Sequence, residues 1–116
     1  MFKLTFHRGS LSGETLNISQ RQIILGRSRE HCDVWLDDDG VSREHCRIEE
    51  REDGIYITDL DSRNGTWVNR QKTAEQKLTS GNDVRIGSVK LTFELVETVA
   101  ALTPIWWTPL VYKCVS

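Results

Sequence analysis

Apolar and polar residues alternate at both ends of the stretch 2–95. Phe2, Leu4 and Phe6 alternate with Lys3, Thr5 and His7, and Val89, Leu91, Phe93 and Leu95 alternate with Lys90, Thr92 and Glu94. A period of two puts successive side chains on opposite faces, so both runs predict half-buried strands. Shorter runs lie between them. Strands are predicted over residues 14–19, with Leu16 and Ile18 on one face, and over 22–25 and 33–36, with Val34 and Leu36 together. Cys46 and Ile48 alternate with Arg47 and Glu49, and Ile55 and Ile57 with Tyr56 and Thr58. Residues 66–68 and 83–86 complete the set. Gly9 to Gly13, Asp37-Asp38-Asp39-Gly40, Glu52-Asp53-Gly54 and Asn69-Arg70 read as turns. Residues 72–77 show no clear period, and the stretch from Leu78 to the strand at 83 reads as a turn. No helical period runs through this part of the chain. About ten to eleven short strands with Gly, Asn or Asp between them predict an all-β fold, a β-sandwich of two antiparallel sheets. The first and last strands are expected to pair.

Composition narrows the class. The 116 residues fit one domain, and 28% charged with 38% hydrophobic residues suits a folded soluble chain. A net charge of −2 weighs against a general nucleic-acid binder. Ten of the fifteen cations are Arg, and Arg27, Arg29, Arg43 and Arg63 fall in or beside three polar clusters. Three cysteines, Cys32, Cys46 and Cys114, are an odd number, and no secretory signal is visible at the N-terminus. Both point to a reducing, intracellular setting, cytoplasmic or, in a eukaryote, nuclear. Residues 99–111 are too short for a membrane span and include two prolines.

The clusters are Gly26-Arg27-Ser28, Ser42-Arg43-Glu44-His45 and Asn64-Gly65-Thr66. Each lies where a strand-like run gives way to a turn, and each offers donors to an oxyanion. Arg27 and Arg43 supply forked N–H donors with fixed charge; Ser42 supplies a hydroxyl and its backbone N–H. Asn64, donor and acceptor at once, suits a peptide main chain. Each also has a plainer reading. A loop Arg is usually solvated, Ser42 serves as a turn residue, and Asn64-Gly65 is a common hairpin signal.

Taken together, the clusters resemble the forkhead-associated (FHA) domain, a phosphothreonine-binding module. The matched pattern is Gly26-Arg27, then Ser42-Arg43-Glu44-His45, then Asn64-Gly65-Thr66-Trp67-Val68-Asn69. Leu78 to Gly87 matches a further family segment, with Asn82 where Asp is usual and Val84 where Ile is usual. Asp33 to Leu36 looks like the short strand before the Ser-Arg turn. Arg70 stands where the family has Gly. The resemblance covers residues 1–96 as the FHA domain and leaves 97–116 as a Pro-containing aromatic tail of unknown role. It implies that Arg27, Ser42 and Arg43 contact the phosphate or its neighbours, that Asn64 holds the ligand main chain, and that Ser62, Arg63 and Thr66 complete the phosphopeptide site. It implies that Gly26 and Gly65 are structural and that His45 braces the binding loops. Loops around Arg29 and Asp61 to Arg63 would read the third residue after the phosphothreonine.

Other readings remain beside it. Ser42 and His45 suggest a nucleophile and base, but there is no nucleophile elbow and no acid placed to orient the His. His31-Cys32 and His45-Cys46 are zinc-type residues, but a strand starting at His45 sends His45 and Cys46 to opposite faces. A third reading is an FHA-like interaction domain without phosphate binding. The expectation is a non-enzyme with no metal and no cofactor. Its partner would be a phosphothreonine-containing protein or peptide, with neither nucleic acid nor membrane span. In the tail, Trp106 and Trp107 suggest packing against a sheet or self-association, or the chain continues into a longer protein.

Overall fold

Eleven strands succeed one another along residues 1–96, the part of the chain that the computed structural model describes. They are β1 (Phe2–Arg8), β2 (Thr15–Ile18), β3 (Gln22–Gly26), β4 (Val34–Trp35), β5 (Cys46–Arg51), β6 (Gly54–Asp59), β7 (Thr66–Val68), β8 (Gln71–Thr73), β9 (Glu75–Leu78), β10 (Asn82–Ile86) and β11 (Val89–Leu95). Two sheets form, one in the order β2-β1-β11-β10-β7-β8 and one in the order β4-β3-β5-β6-β9. The expectations for the aromatic tail, with Trp106 and Trp107, and for Cys114 lie outside the described residues. Among the described residues there is no helix long and apolar enough to cross a membrane.

The alternation seen in the sequence becomes the core. Phe2, Leu4 and Phe6 of β1 and Leu91 and Phe93 of β11 face inward, against Ile23, Leu25, Ile48 and Ile57 of the other sheet. Burying one such side chain contributes about 1.5–3 kcal/mol, so these positions dominate the stability of the sandwich. First and last strands pair antiparallel, from Phe2 with Leu95 to Phe6 with Leu91.

Three expectations need correction. The smaller sheet is mixed, because β3 and β4 run parallel. Residues 71–78 form two strands, β8 on β7 and β9 on β6, so the chain crosses between sheets at Ala74. Both are short edge strands, and only Leu78 among their side chains is buried. They therefore carry no apolar period to read. Leu78, assigned to a turn, is a core residue at the end of β9.

Pairing also settles where the loops lie. The end of β3 meets the start of β5 (Leu25 with Cys46), which meets the end of β6 (Cys46 with Asp59). The start of β7 meets the end of β10 (Thr66 with Ile86). The loops after β3, before β5 and before β7 thus share one end of the sandwich.

Candidate functional site

Gly26 closes β3 against the backbone of the loop before β5. A Cβ there would sit 2.1 Å from the Arg43 carbonyl oxygen, so no side chain fits. That close approach joins the first two clusters. The Arg27 N–H donates to the Ser42 carbonyl at 3.0 Å, and the Ser28 N–H to the Arg43 carbonyl at 3.1 Å. The Arg27 side chain follows the same loop, its Nε–H donating to the Val41 carbonyl at 3.0 Å. The guanidinium is thereby anchored to this loop through Nε, and the residue as a whole is exposed.

His45 joins the second cluster to the third. It is 0% exposed. Its Nδ1 accepts the Ser42 N–H at 3.0 Å, so Nε2 carries the proton and donates to the Gly65 carbonyl at 2.8 Å. Burial lowers the imidazole pKa from its ordinary 6.5, outweighing the opposing pull of the Gly65 carbonyl and Asp59. The neutral ring is the form this geometry needs, since a proton on Nδ1 would face the Ser42 N–H. The arrangement also corrects one expectation: the Ser42 N–H belongs to His45 and is not offered to a ligand. The Ser42 hydroxyl oxygen accepts the Arg63 N–H at 3.0 Å, leaving its own hydrogen to donate outward.

Beneath the third cluster lies Asp59, at the end of β6. Its carboxylate accepts the Ser62 N–H at 3.1 Å, the Ser62 hydroxyl, and the Thr66 hydroxyl at 2.7 Å. Burial alone would raise its pKa; the Ser62 and Thr66 hydrogen bonds overcome that and lower it. Ser62 also accepts the Gly65 N–H at 2.9 Å. These contacts place two residues expected in the phosphopeptide site. The Ser62 hydroxyl both donates and accepts within its own loop, and Thr66 is 0% exposed. Both hydroxyls thus shape the loop through Asp59. Asp59 was missed by the sequence reading, although Asp followed three residues later by Ser is an Asx-type turn signal.

Arg63, Asn64 and Arg43 are exposed at the same end. Arg63 reaches back to the Asp39 carbonyl at 3.0 Å, and Asn64 Nδ2 to the Gly40 carbonyl at 2.9 Å. Asn64 keeps its amide oxygen and its second N–H. Arg29 lies over the exposed Trp35 ring at 4.6 Å. None of the four ion pairs among the described residues involves Arg27, Arg43 or Arg63. Arg27 and Arg63 are thus anchored to loop carbonyls and, like Arg43, make no ion pair among the described residues, a set of cationic donors that suits an oxyanion.

The rival chemistries meet committed atoms. His45 Nδ1 faces the Ser42 N–H and not its hydroxyl, so the ring does not activate that oxygen. His31 Nδ1 contacts the Ser28 hydroxyl at 2.9 Å, and the Cys32 thiol donates to the Arg43 carbonyl at 2.9 Å. Cys46 is fully buried, and burial raises its thiol pKa.

The comparisons with known proteins follow the same frame. The FHA domain family model matches residues 23–87. The chain is similar to an oxoglutarate dehydrogenase inhibitor of Corynebacterium diphtheriae, 34% identical over 90 residues, which are 78% of this chain and 62% of that protein. It therefore spans less than two thirds of that relative's length. Among solved structures it is similar to a protein from a study of phosphothreonine-dependent FHA domain interactions, with 30% identity and a TM-score of 0.74 over 84% of this chain and 98% of that one. It is also similar to the FhaA FHA domain, solved in complex with the intracellular domain of another protein, with 31% identity and a TM-score of 0.72 over 81% of this chain and 100% of that one. The family match at residues 23–87 contains all three loop clusters, nearly all of the smaller sheet and three of the six strands of the larger one, and this chain belongs to the FHA domain family.

Proposed function

We propose that residues 1–96 form a binding module for phosphothreonine-bearing segments of partner proteins, acting inside the cell without reaction chemistry of its own. Arg27, Ser42 and Arg43 receive the phosphate; Arg63 and Asn64 hold the chain beside it; His45 and Asp59 keep the loops in place. The observation that supports this best is the Ser42 hydroxyl, whose oxygen accepts the Arg63 N–H so that its own hydrogen is free to donate, on the same loop that anchors the Arg27 guanidinium through Nε. Such donors are worth most to a dianion already fixed in geometry before binding. The family suits regulation by binding, and the relative named as a dehydrogenase inhibitor is a protein of that kind.

The test is calorimetry with a phosphothreonine peptide and its unphosphorylated twin. Only the phosphorylated form should bind. Arg43→Ala and Ser42→Ala should each weaken it by about 2 kcal/mol, about 30-fold, since a charge-assisted contact is removed. Arg43→Ala should leave the melting temperature nearly unchanged, because its side chain is exposed, whereas Ser42→Ala should lower it modestly, because the Arg63 N–H loses its acceptor. Wild-type affinity in both variants would overturn the assignment. A matched phosphoserine peptide should bind several-fold more weakly, because one buried methyl is worth up to about 1 kcal/mol.

A further inference from the structure

The outer face of the larger sheet carries a row of cations that no ion pair among the described residues balances. Strand register builds it. Lys72 lies opposite Trp67, Trp67 opposite Arg85, Arg85 opposite Lys90, and Lys90 opposite Arg8. Five neighbouring strands, β8, β7, β10, β11 and β1, each contribute one residue. The four cations are exposed, and Trp67 is half-buried. Like charges on directly opposed strand positions repel, so the row opposes the fold it sits on. The same face shows the alternative: Lys3 lies opposite Glu94 and pairs with it at 3.3 Å.

The row borders a shallow groove of about 500 Å³, lined among others by His7, Trp67, Arg70, Arg85 and Lys90. Asp83 also lines it, but its carboxylate accepts the Thr92 hydroxyl at 3.4 Å and makes no ion pair with Arg85. Arg85 lies over the Trp67 ring at 5.2 Å, which gives the groove a cationic and aromatic floor. The phosphate site uses none of these side chains.

We propose that this row is a second docking surface, and that its occupant is an acidic, unphosphorylated segment of a partner protein. Charge complementarity selects the sign. The backbone selects a chain over a single oxyanion: strand N–H groups are held in the sheet ladder, so the face offers no nest of amides, only charges spread over distance. Five strands at about 4.8 Å spacing span about 19 Å, the reach of about six extended residues. Carboxylates on one side of an extended chain recur about every 7 Å, so each lies within reach of two cations. The net charge of −2 disfavours nucleic acid, which would meet repulsion from the rest of the surface. The row adjoins the loop end, because Trp67 Nε1 donates to the Asn64 carbonyl at 3.3 Å. One partner carrying both a phosphothreonine and an acidic stretch would thus gain from two linked contacts.

The experiment uses the whole chain, uniformly labelled with nitrogen-15, and a twelve-residue Glu-rich unphosphorylated peptide at low salt. Amide shifts should move at Trp67, Arg85 and Lys90 and stay still at Arg27, Ser42 and Arg43. The double charge reversal Arg85→Glu with Lys90→Glu should weaken the peptide at least about tenfold, as should raising the salt to about 0.5 M. The phosphothreonine peptide should keep its affinity within about twofold in that variant. Because the reversal can perturb the sheet, the milder Lys90→Gln should show the same direction. Three results would overturn the proposal: no shifts at low salt, shifts confined to the phosphate loops, or tighter binding of a single-stranded DNA of equal charge.

Discussion

The two ends of the sandwich are built on different principles. At the far end, turns are closed by residues that are neighbours in the chain. Asn82 Oδ1 accepts the Thr79 N–H at 2.8 Å, and Asn69-Arg70 turns the chain in two residues, both with positive φ. At the site end the contacts that matter cross about twenty positions: His45 to Gly65, Ser42 to Arg63, Gly40 to Asn64. A locally closed turn survives damage elsewhere. A loop held by distant partners is correct only when the whole sandwich is formed, and a single misfit displaces several of its residues together.

Glycine substitutions should expose this difference most strongly. Gly26→Ala places a methyl against fixed backbone and should cost about 3 kcal/mol, with phosphopeptide affinity falling as the Arg43 loop moves. A denaturant titration and calorimetry on the same protein would check both. His45→Ala should follow, at about 2–3 kcal/mol, from two lost hydrogen bonds and a cavity. Unlike Arg43→Ala, it should lower melting and affinity together; lost affinity at unchanged melting would make His45 a direct ligand instead of a brace.

Acid should act through the same brace. The folded His45 has a pKa below its ordinary 6.5, so the unfolded chain binds the extra proton first. Its contribution is complete above about 6.5 and is lost as pH falls from there through the folded value. Asp59, also lowered from 3.8, contributes fully above that value and loses its share in a second, more acidic step. Melting temperature should therefore decline in two stages on acidification, and His45→Ala should lack the first. Phosphopeptide affinity should also fall below about pH 6, where the phosphate becomes a monoanion. Flat affinity from pH 8 to 5 would show that the dianion is not what is recognised.

The far end should respond weakly. Gly81 has φ +94° with nothing near its absent Cβ, so Gly81→Ala should cost about 1 kcal/mol of backbone strain and leave binding unchanged. A cost equal to that of Gly26→Ala would erase the distinction between the ends. Smallest is Arg70→Gly. Arg70 holds φ +71°, where Gly is at ease, and the change should stabilise by up to about 1 kcal/mol.

Much of the fold is legible in the residues alone, because a period of two reports which side of a strand meets the core. Phe2, Leu4, Phe6, Leu91 and Phe93 announce their strands and their inward faces, and the paired first and last strands follow from them. The three clusters also announce the family through residue type and order. What β8, β9 and the parallel pairing of β4 do is not legible, since edge strands of two to four residues bury too little to leave a pattern. Nor do residue types separate exposed Arg43 from buried Thr66, or show that the Ser62 hydroxyl is held by Asp59 while the Ser42 hydroxyl keeps its hydrogen. Sequence lists the donors a residue owns. Only tertiary structure decides which are already taken: the Ser42 N–H by His45, the Ser62 and Thr66 hydroxyls by Asp59. The cationic row likewise exists only through register, which sets Lys72, Arg85, Lys90 and Arg8 across neighbouring strands from separate stretches of chain. Propensity and periodicity are local properties of the chain, whereas the sharing of hydrogen bonds and the addition of charges depend on distances that exist only after it folds.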